Sequence, residues 1–154
     1  MRFLTLDALL EMPSGTRACS QARRWFIQSF PEGATLIQVW DACPDWSWQV
    51  SFAVHSATQE EAVAFARECE ERAAKYAADA ATATTAENAA DAAEAANDAA
   101  NYDADTYYNA DCAAAAAAAT AYYADCATAA GNYDAEIKIQ VAWAKRILFS
   151  AGGK

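Results

Sequence analysis

Between Tyr76 and Ile137 the chain has no lysine, no arginine, and no Val, Ile, Leu, Met, Phe or Trp. The first absence excludes a polyanion-binding surface there, because nucleic acid and anionic membranes are captured by clustered cations. The second excludes an ordinary aliphatic core, since alanine buries little area per residue. Histidine is nearly absent as well: His55 is the single one, and the five cysteines, Cys19, Cys43, Cys69, Cys112 and Cys126, contain no C-x-x-C pair. Zinc of the usual spacing and a secreted disulfide framework are both disfavoured, leaving reduced, cytosolic thiols as the expectation. The run from Phe3 to Leu10 is interrupted by Asp7 and followed by Glu11, and Arg17 spoils a lipoprotein-like site before Cys19, so no leader is expected. The apolar run from Ala113 to Ala119 is far too short to span a membrane.

What is present divides the chain in two. Residues 1–75 hold all three prolines, four of the five tryptophans and charges of both signs. Helical spacing of Ala18, Ala22, Trp25, Phe26 and Ser29 predicts one short helix, closed by the breaker run from Phe30 to Gly33. Thr35 is placed to cap a second, with Leu36, Val39, Trp40 and Cys43 inward, and Pro44 to start a third carrying Trp48, Phe52 and His55. Ser56 and Thr58 precede Gln59 and Glu61 at capping-box spacing, which predicts a longer helix starting there and running through Val63, Phe65, Ala66 and Cys69 to Tyr76 and beyond.

From residue 73 to residue 130, 30 of 58 residues are alanine. The bulky exceptions after Tyr76 are Tyr102, Tyr107, Tyr108, Tyr122, Tyr123 and Tyr133. Alanine has the best helix propensity, and proline is missing, so helices rather than disorder are expected, with breaks near residues 84–86 and 103–107. Gly131 reads as a helix end and Asn132 as the cap of a last helix, with Ile137, Val141, Ala144 and Leu148 on its inner face and Ile139 and Trp143 beside it. The fold class expected is all-α: a tryptophan-rich head of short helices, residues 1–75 with the helix 133–149 docked on it, and an extended alanine-rich antiparallel array, residues 76–132.

Charge is the strongest functional signal. Residues 76–137 hold eleven acidic groups and no lysine or arginine, whereas the rest balances at +1, eleven basic against ten acidic, for a net −10. Glu87, Asp91, Glu94 and Asp98, then Tyr102 and Asp105, recur at intervals of three and four, which is one face of a helix about 27 Å long at ~1.5 Å per residue. Like charges so spaced cost roughly 0.2–0.5 kcal/mol per pair, and ordinary helices interleave cations to relieve this. Two readings follow. The face is either a partner-binding surface made of Glu87, Asp91, Glu94, Asp98, Tyr102, Asp105, Tyr108 and Asp111, or a solubilising coat on alanine helices.

Other groups carry less. Cys112 and Cys126, each preceded by an Asp (Asp111, Asp125) and a tyrosine pair, suggest an internal repeat, with packing rather than catalytic roles. His55 is expected to pack or cap, Asp103 with Asp105 lacks a calcium-loop glycine, and the threonines show no eleven-residue period of an ice-binding helix. No catalytic residue, cofactor or metal is expected, and the chain is not read as an enzyme.

Ala18-Cys19 followed by Ala22 and Trp25, then Trp40-Asp41-Ala42-Cys43, then Asp45-Trp46 with Trp48, precede the Tyr/Asp-dotted alanine array and a final Ala135-Glu136-Ile137-Lys138-Ile139-Gln140. That order resembles the alanine-rich immunity-protein group of bacteria and phages, an all-helical class of toxin-system proteins. The resemblance covers most of the chain and implies a helical protein that neutralises by binding. Members of that group carry arginines within the array, where this chain has none. The expectation is an inhibitor whose acidic surface occupies a basic protein target: a nuclease, toxin or defence effector. An anti-CRISPR, anti-restriction or immunity protein would act so, as a nucleic-acid mimic, without binding nucleic acid or membrane itself. The alternative is a structural module that oligomerises, as a homodimer for example, through its alanine faces.

Overall fold

The computed structural model describes residues 3–4, 20–82, 86–101, 107–128 and 131–150. The fold is all-α. Helices α1 (Ser20–Ser29), α2 (Leu36–Ala42), α3 (Trp46–Ser56), α4 (Gln59–Ala81), α5 (Ala86–Asn101), α6 (Tyr107–Thr128) and α7 (Asn132–Ser150) follow one another. The only extended pairing among the described residues is a two-residue antiparallel bridge of β1 (Phe3–Leu4) with β2 (Ala34–Thr35), in register Phe3 to Thr35.

The helix starts are chemical. The Thr35 hydroxyl accepts from the Gln38 amide while the Gln38 side chain accepts from the Thr35 amide, and Thr58 with Glu61 repeats the arrangement at α4. The cap of α3 is Asp45, which accepts from Ser47 N at 2.8 Å. Pro44 therefore precedes the cap instead of opening the helix. Gly33 ends the turn after α1 at φ 85°, a left-handed conformation that side-chain-bearing residues resist.

The chain forms two compact units. The first takes residues 1–57 and 141–154, the second residues 58–140. The boundary thus falls at the start of α4, not near residue 75, because α4 lays Ala62, Ala66, Ala73 and Ala80 into the alanine array. Helix α7 gives residues up to Gln140 to the second unit and those from Val141 to the first.

In the first unit Phe26, Leu36, Val50, Val54, Trp143, Ile147 and Leu148 are buried. Aromatic edges hold them: Trp25 meets Phe30 and Trp48 at centroid distances of 5.8 and 5.9 Å, and Trp40 meets Phe149 at 5.7 Å.

In the second unit α4, α5 and α6 pack mutually. Asn88, early in α5, donates to the Cys126 carbonyl, late in α6, so those two run antiparallel. Helix α6 buries Ala110, Ala113, Ala114, Ala117, Ala118, Thr120, Ala121 and Ala124. Seven one-carbon side chains and a threonine let neighbouring helices approach closely, and the gain is dispersion contact more than transferred area. Thr120, fully buried, satisfies its hydroxyl by donating to Ala116 O in its own helix at 2.7 Å. Tyr76 is the one large side chain in a cluster with Ala80, Ala92, Ala121 and Ala124, flanked by Tyr123 and Tyr133.

Candidate functional site

Helix α5 carries the acidic face. Glu87, Glu94 and Asp98 are exposed and Asp91 is half-buried at the edge of the face, while Ala92 and Ala95 point inward. None of the four acids joins an ion pair among the described residues. The described part of the face lies on α5, from Glu87 to Asp98. From Glu87 to Asp98 it spans about 16 Å at ~1.5 Å per residue. Tyr102 and Asp105 lie outside the described residues, as do the side chains of Tyr108 and Asp111 on α6 and of His55 on α3. Asp103 is likewise outside them.

A second constellation lies inside the array, and sequence reasoning missed it. Glu136 on α7 is fully buried, and both its carboxylate oxygens are filled. Arg72 on α4 donates to it in a fork, Nε to Oε2 at 2.8 Å and Nη2 to Oε1 at 3.1 Å. Tyr76 Oη donates to Oε2 at 2.8 Å and Gln140 Nε2 to Oε1 at 2.8 Å. Four donors match the roughly four lone-pair sites of a carboxylate. Gln140, also fully buried, donates in addition to the Ala114 carbonyl of α6 at 2.9 Å, leaving its own Oε1 without a partner. The result is one hydrogen-bonded chain from α4 through α7 to α6. Its signature was two polar pairs four residues apart, Arg72 with Tyr76 and Glu136 with Gln140, each on a face otherwise small or apolar.

This network changes the reading of α7. Its inner face runs through Glu136, Gln140, Trp143, Ala144, Ile147 and Leu148, whereas Ile137 and Val141 are half-buried and Ile139 is 41% exposed. Hydrophobic periodicity alone placed Ile137 inward; the forked bond from Arg72 outweighs one isoleucine and rotates Glu136 into that position.

The start of α7 is capped from another helix. Asp125 near the end of α6 accepts from Asn132 N at 2.6 Å and Tyr133 N at 2.9 Å. The Asn132 side chain does not cap; its buried Nδ2 has no partner. Gly131 allows the reversal at φ 73°. A carboxylate on the first free N–H groups is also favoured by the helix dipole. Asp125→Ala should therefore lower the unfolding free energy by about 1 kcal/mol, within the 0.5–2 kcal/mol range of lost caps, as read by urea titration.

The thiols are not poised for chemistry. Burial pushes the Cys69 thiol up from 9.0 to about 12, with the nearby Arg72 guanidinium opposing the shift incompletely. Burial likewise raises Cys43. Tyr76 is raised by burial and then by its bond to Glu136. For Arg72 burial acts to lower the value, but the bonds to Glu136 and the surrounding charges outweigh it and hold the guanidinium above its usual range.

These shifts set an alkaline limit. Above pH 9.0 an unfolded Cys69 releases a proton that the folded state keeps, and unfolded Tyr76 does so above 10.0. The folded state then binds more protons than the unfolded one, so stability falls with rising pH. The contribution is whole below pH 9.0 and drains as pH climbs toward 12. Urea midpoints should hold steady up to pH 9.0 and decline above it, and Cys69→Ala combined with Tyr76→Phe should flatten most of the decline.

Tyr122, 52% exposed, stands edge-on to Tyr123 and Tyr133 at 5.6 and 5.9 Å. Cys112 is half-buried and Cys126 exposed. Among the described residues no three His, Cys, Asp or Glu converge as a metal site, and no helix is long and apolar enough to cross a membrane. Compared with protein-family models, curated proteins and solved structures, the chain matches none.

Proposed function

We propose that this chain is a non-enzymatic binding protein of the inhibitor or immunity kind, and that the acidic face of α5 occupies a basic surface on a target protein. The observation that carries the reading is the run of Glu87, Asp91, Glu94 and Asp98 on a helix flank, in no ion pair among the described residues. Such a row works against its own helix, by roughly 0.2–0.5 kcal/mol for each like-charge pair. A basic partner would remove that repulsion on binding and would be steered to the surface by the net −10 charge. About 5 Å between charges along the helix axis is sparser than one DNA strand, at ~3.4 Å per phosphate, but has the same sign and linearity. A groove that otherwise holds nucleic acid, on a nuclease, toxin or CRISPR-type effector, is the kind of target that fits. Tyr102, Asp105, Tyr108 and Asp111 would extend the contact.

The test is a pull-down from host lysate with the purified full chain, at about 50 and 300 mM salt, the Debye length shrinking from well over 10 Å toward 6 Å between them. A basic protein retained at low salt and weakened at high salt supports occupancy of a basic surface. Retention of nothing basic at either salt, together with a concentration-dependent dimer, would replace this reading with self-association through the alanine faces.

A further inference from the structure

An array of alanine helices has a weakness that follows from geometry. Helix α6 presents Ala110, Ala113, Ala114, Ala117, Ala118, Ala121 and Ala124 to its neighbours. On such a surface the hollows between side chains repeat every turn, so a helix laid against it meets an equivalent set of hollows when shifted by about 5.4 Å. Tyr76 of α4 packs among Ala80, Ala92, Ala121 and Ala124, and such an alanine-lined hollow repeats one turn along. Thr120, the one non-alanine among the described buried residues of α6, spends its hydroxyl inside its own helix and makes no directional bond to a neighbouring helix. Packing alone therefore leaves several axial alignments close in free energy.

Directional bonds remove the degeneracy. The α6–α7 pair is aligned locally by Asp125 on Asn132 and Tyr133. For α4, the bonds of Arg72 and Tyr76 to Glu136, passed on by Gln140 to Ala114 O, hold in one alignment only. A one-turn slip of α4 would strip the buried Glu136 carboxylate of the three donors that Arg72 and Tyr76 supply and leave it only Gln140, on its own helix, a loss the low-polarity interior penalises heavily.

We infer that Arg72, Tyr76, Glu136 and Gln140 form a register device: the network selects one alignment of α4 against the α6–α7 pair, at the expense of stability that apolar side chains would supply. Two observations mark it as a device for selection. The network pairs a fully buried carboxylate with an arginine side chain only 18% exposed, where a well-packed apolar set is often neutral or more stable, and it leaves Gln140 Oε1 without a partner. The same four positions would be simpler to fill with leucine if stability were the only requirement. The inference is independent of what the acidic face binds.

The experiment uses the full chain labelled with 15N-tyrosine. In one variant Arg72→Met, Tyr76→Phe, Glu136→Leu and Gln140→Leu are combined; a second, with smaller volume change, combines Arg72→Met, Tyr76→Phe and Glu136→Met. Tyr123 and Tyr133, which pack on the Ala80, Ala92, Ala121 and Ala124 cluster, report the alignment. The native chain should give one amide resonance for each. Either variant should keep a urea midpoint equal to or above the native one while splitting each resonance into two or more, with a shallower unfolding transition. Single resonances with native cooperativity in both variants would overturn the inference. So would failure of both to fold, since the network would then be a stabiliser and not a selector.

Discussion

Glu136→Ala is expected to lower the unfolding free energy by about 3–5 kcal/mol, the cost of breaking a buried pair from one side. The substitution strands the Arg72 guanidinium, whose side chain is only 18% exposed, and deprives Tyr76 Oη and Gln140 Nε2 of their acceptor. It also opens a space where nothing else reaches. Against a total of about 5–15 kcal/mol for a chain of this size, such a loss is a large fraction of all the stability there is. Glu68→Ala supplies the contrast. Glu68 lies 3.8 Å from Arg72 Nη1 but is 55% exposed, and exposed pairs contribute about 0–1 kcal/mol, so its removal should barely move the urea midpoint. Equal effects of the two substitutions would mean that burial does not govern the Arg72 contacts.

The second large effect concerns α5 and runs in two directions at once. Combining Asp91→Ala, Glu94→Gln and Asp98→Ala removes three like-charge pairs, 87 with 91, 91 with 94, and 94 with 98. At roughly 0.2–0.5 kcal/mol each, stability should rise by about 0.5–1.5 kcal/mol. Binding of the basic target should fall by about tenfold or more, with a weaker dependence on salt. A gain in melting temperature beside a loss of binding separates a lost interface from a damaged fold. Unchanged binding and unchanged salt dependence would assign the acidic row to solubility alone.

Much of the fold was legible because helix ends are written in local chemistry. Thr35 caps α2 as its position foretold, and Thr58 with Glu61 forms the capping box that opens α4, whereas the breaks expected near residues 84–86 and 103–107 lie largely outside the described residues. Alanine richness without proline was enough to expect helices from residue 86 onward. The interior of the array was less legible, for a physical reason. Hydrophobic periodicity finds inner faces through large apolar residues, and α6 has none; on α7 it favoured Ile137 over Glu136. Which acid goes inside depends on a donor 64 residues away, Arg72, which no local pattern reports. Asp125 is the same kind of case: it caps a helix seven and eight residues downstream, across a glycine turn, so the nearer Asn132 looked like the cap. The acidic face was readable as a spacing, and Glu87, Asp91, Glu94 and Asp98 keep that spacing along one flank of α5.

The central claim is that the position of the charges, and not their sum, makes the surface. It is tested most directly by measuring the affinity of the basic protein recovered at low salt for three forms of the chain at about 50 mM salt, where exposed charges are least screened. These are the native chain, the α5 variant with Asp91, Glu94 and Asp98 neutralised, and a charge-matched variant with the exposed Glu32, Asp41 and Glu71 changed to Gln, Asn and Gln. Loss of about tenfold or more in the α5 variant, with native affinity in the charge-matched one, is the predicted result. Equal losses in both would contradict it, because net charge would then be all the partner reads.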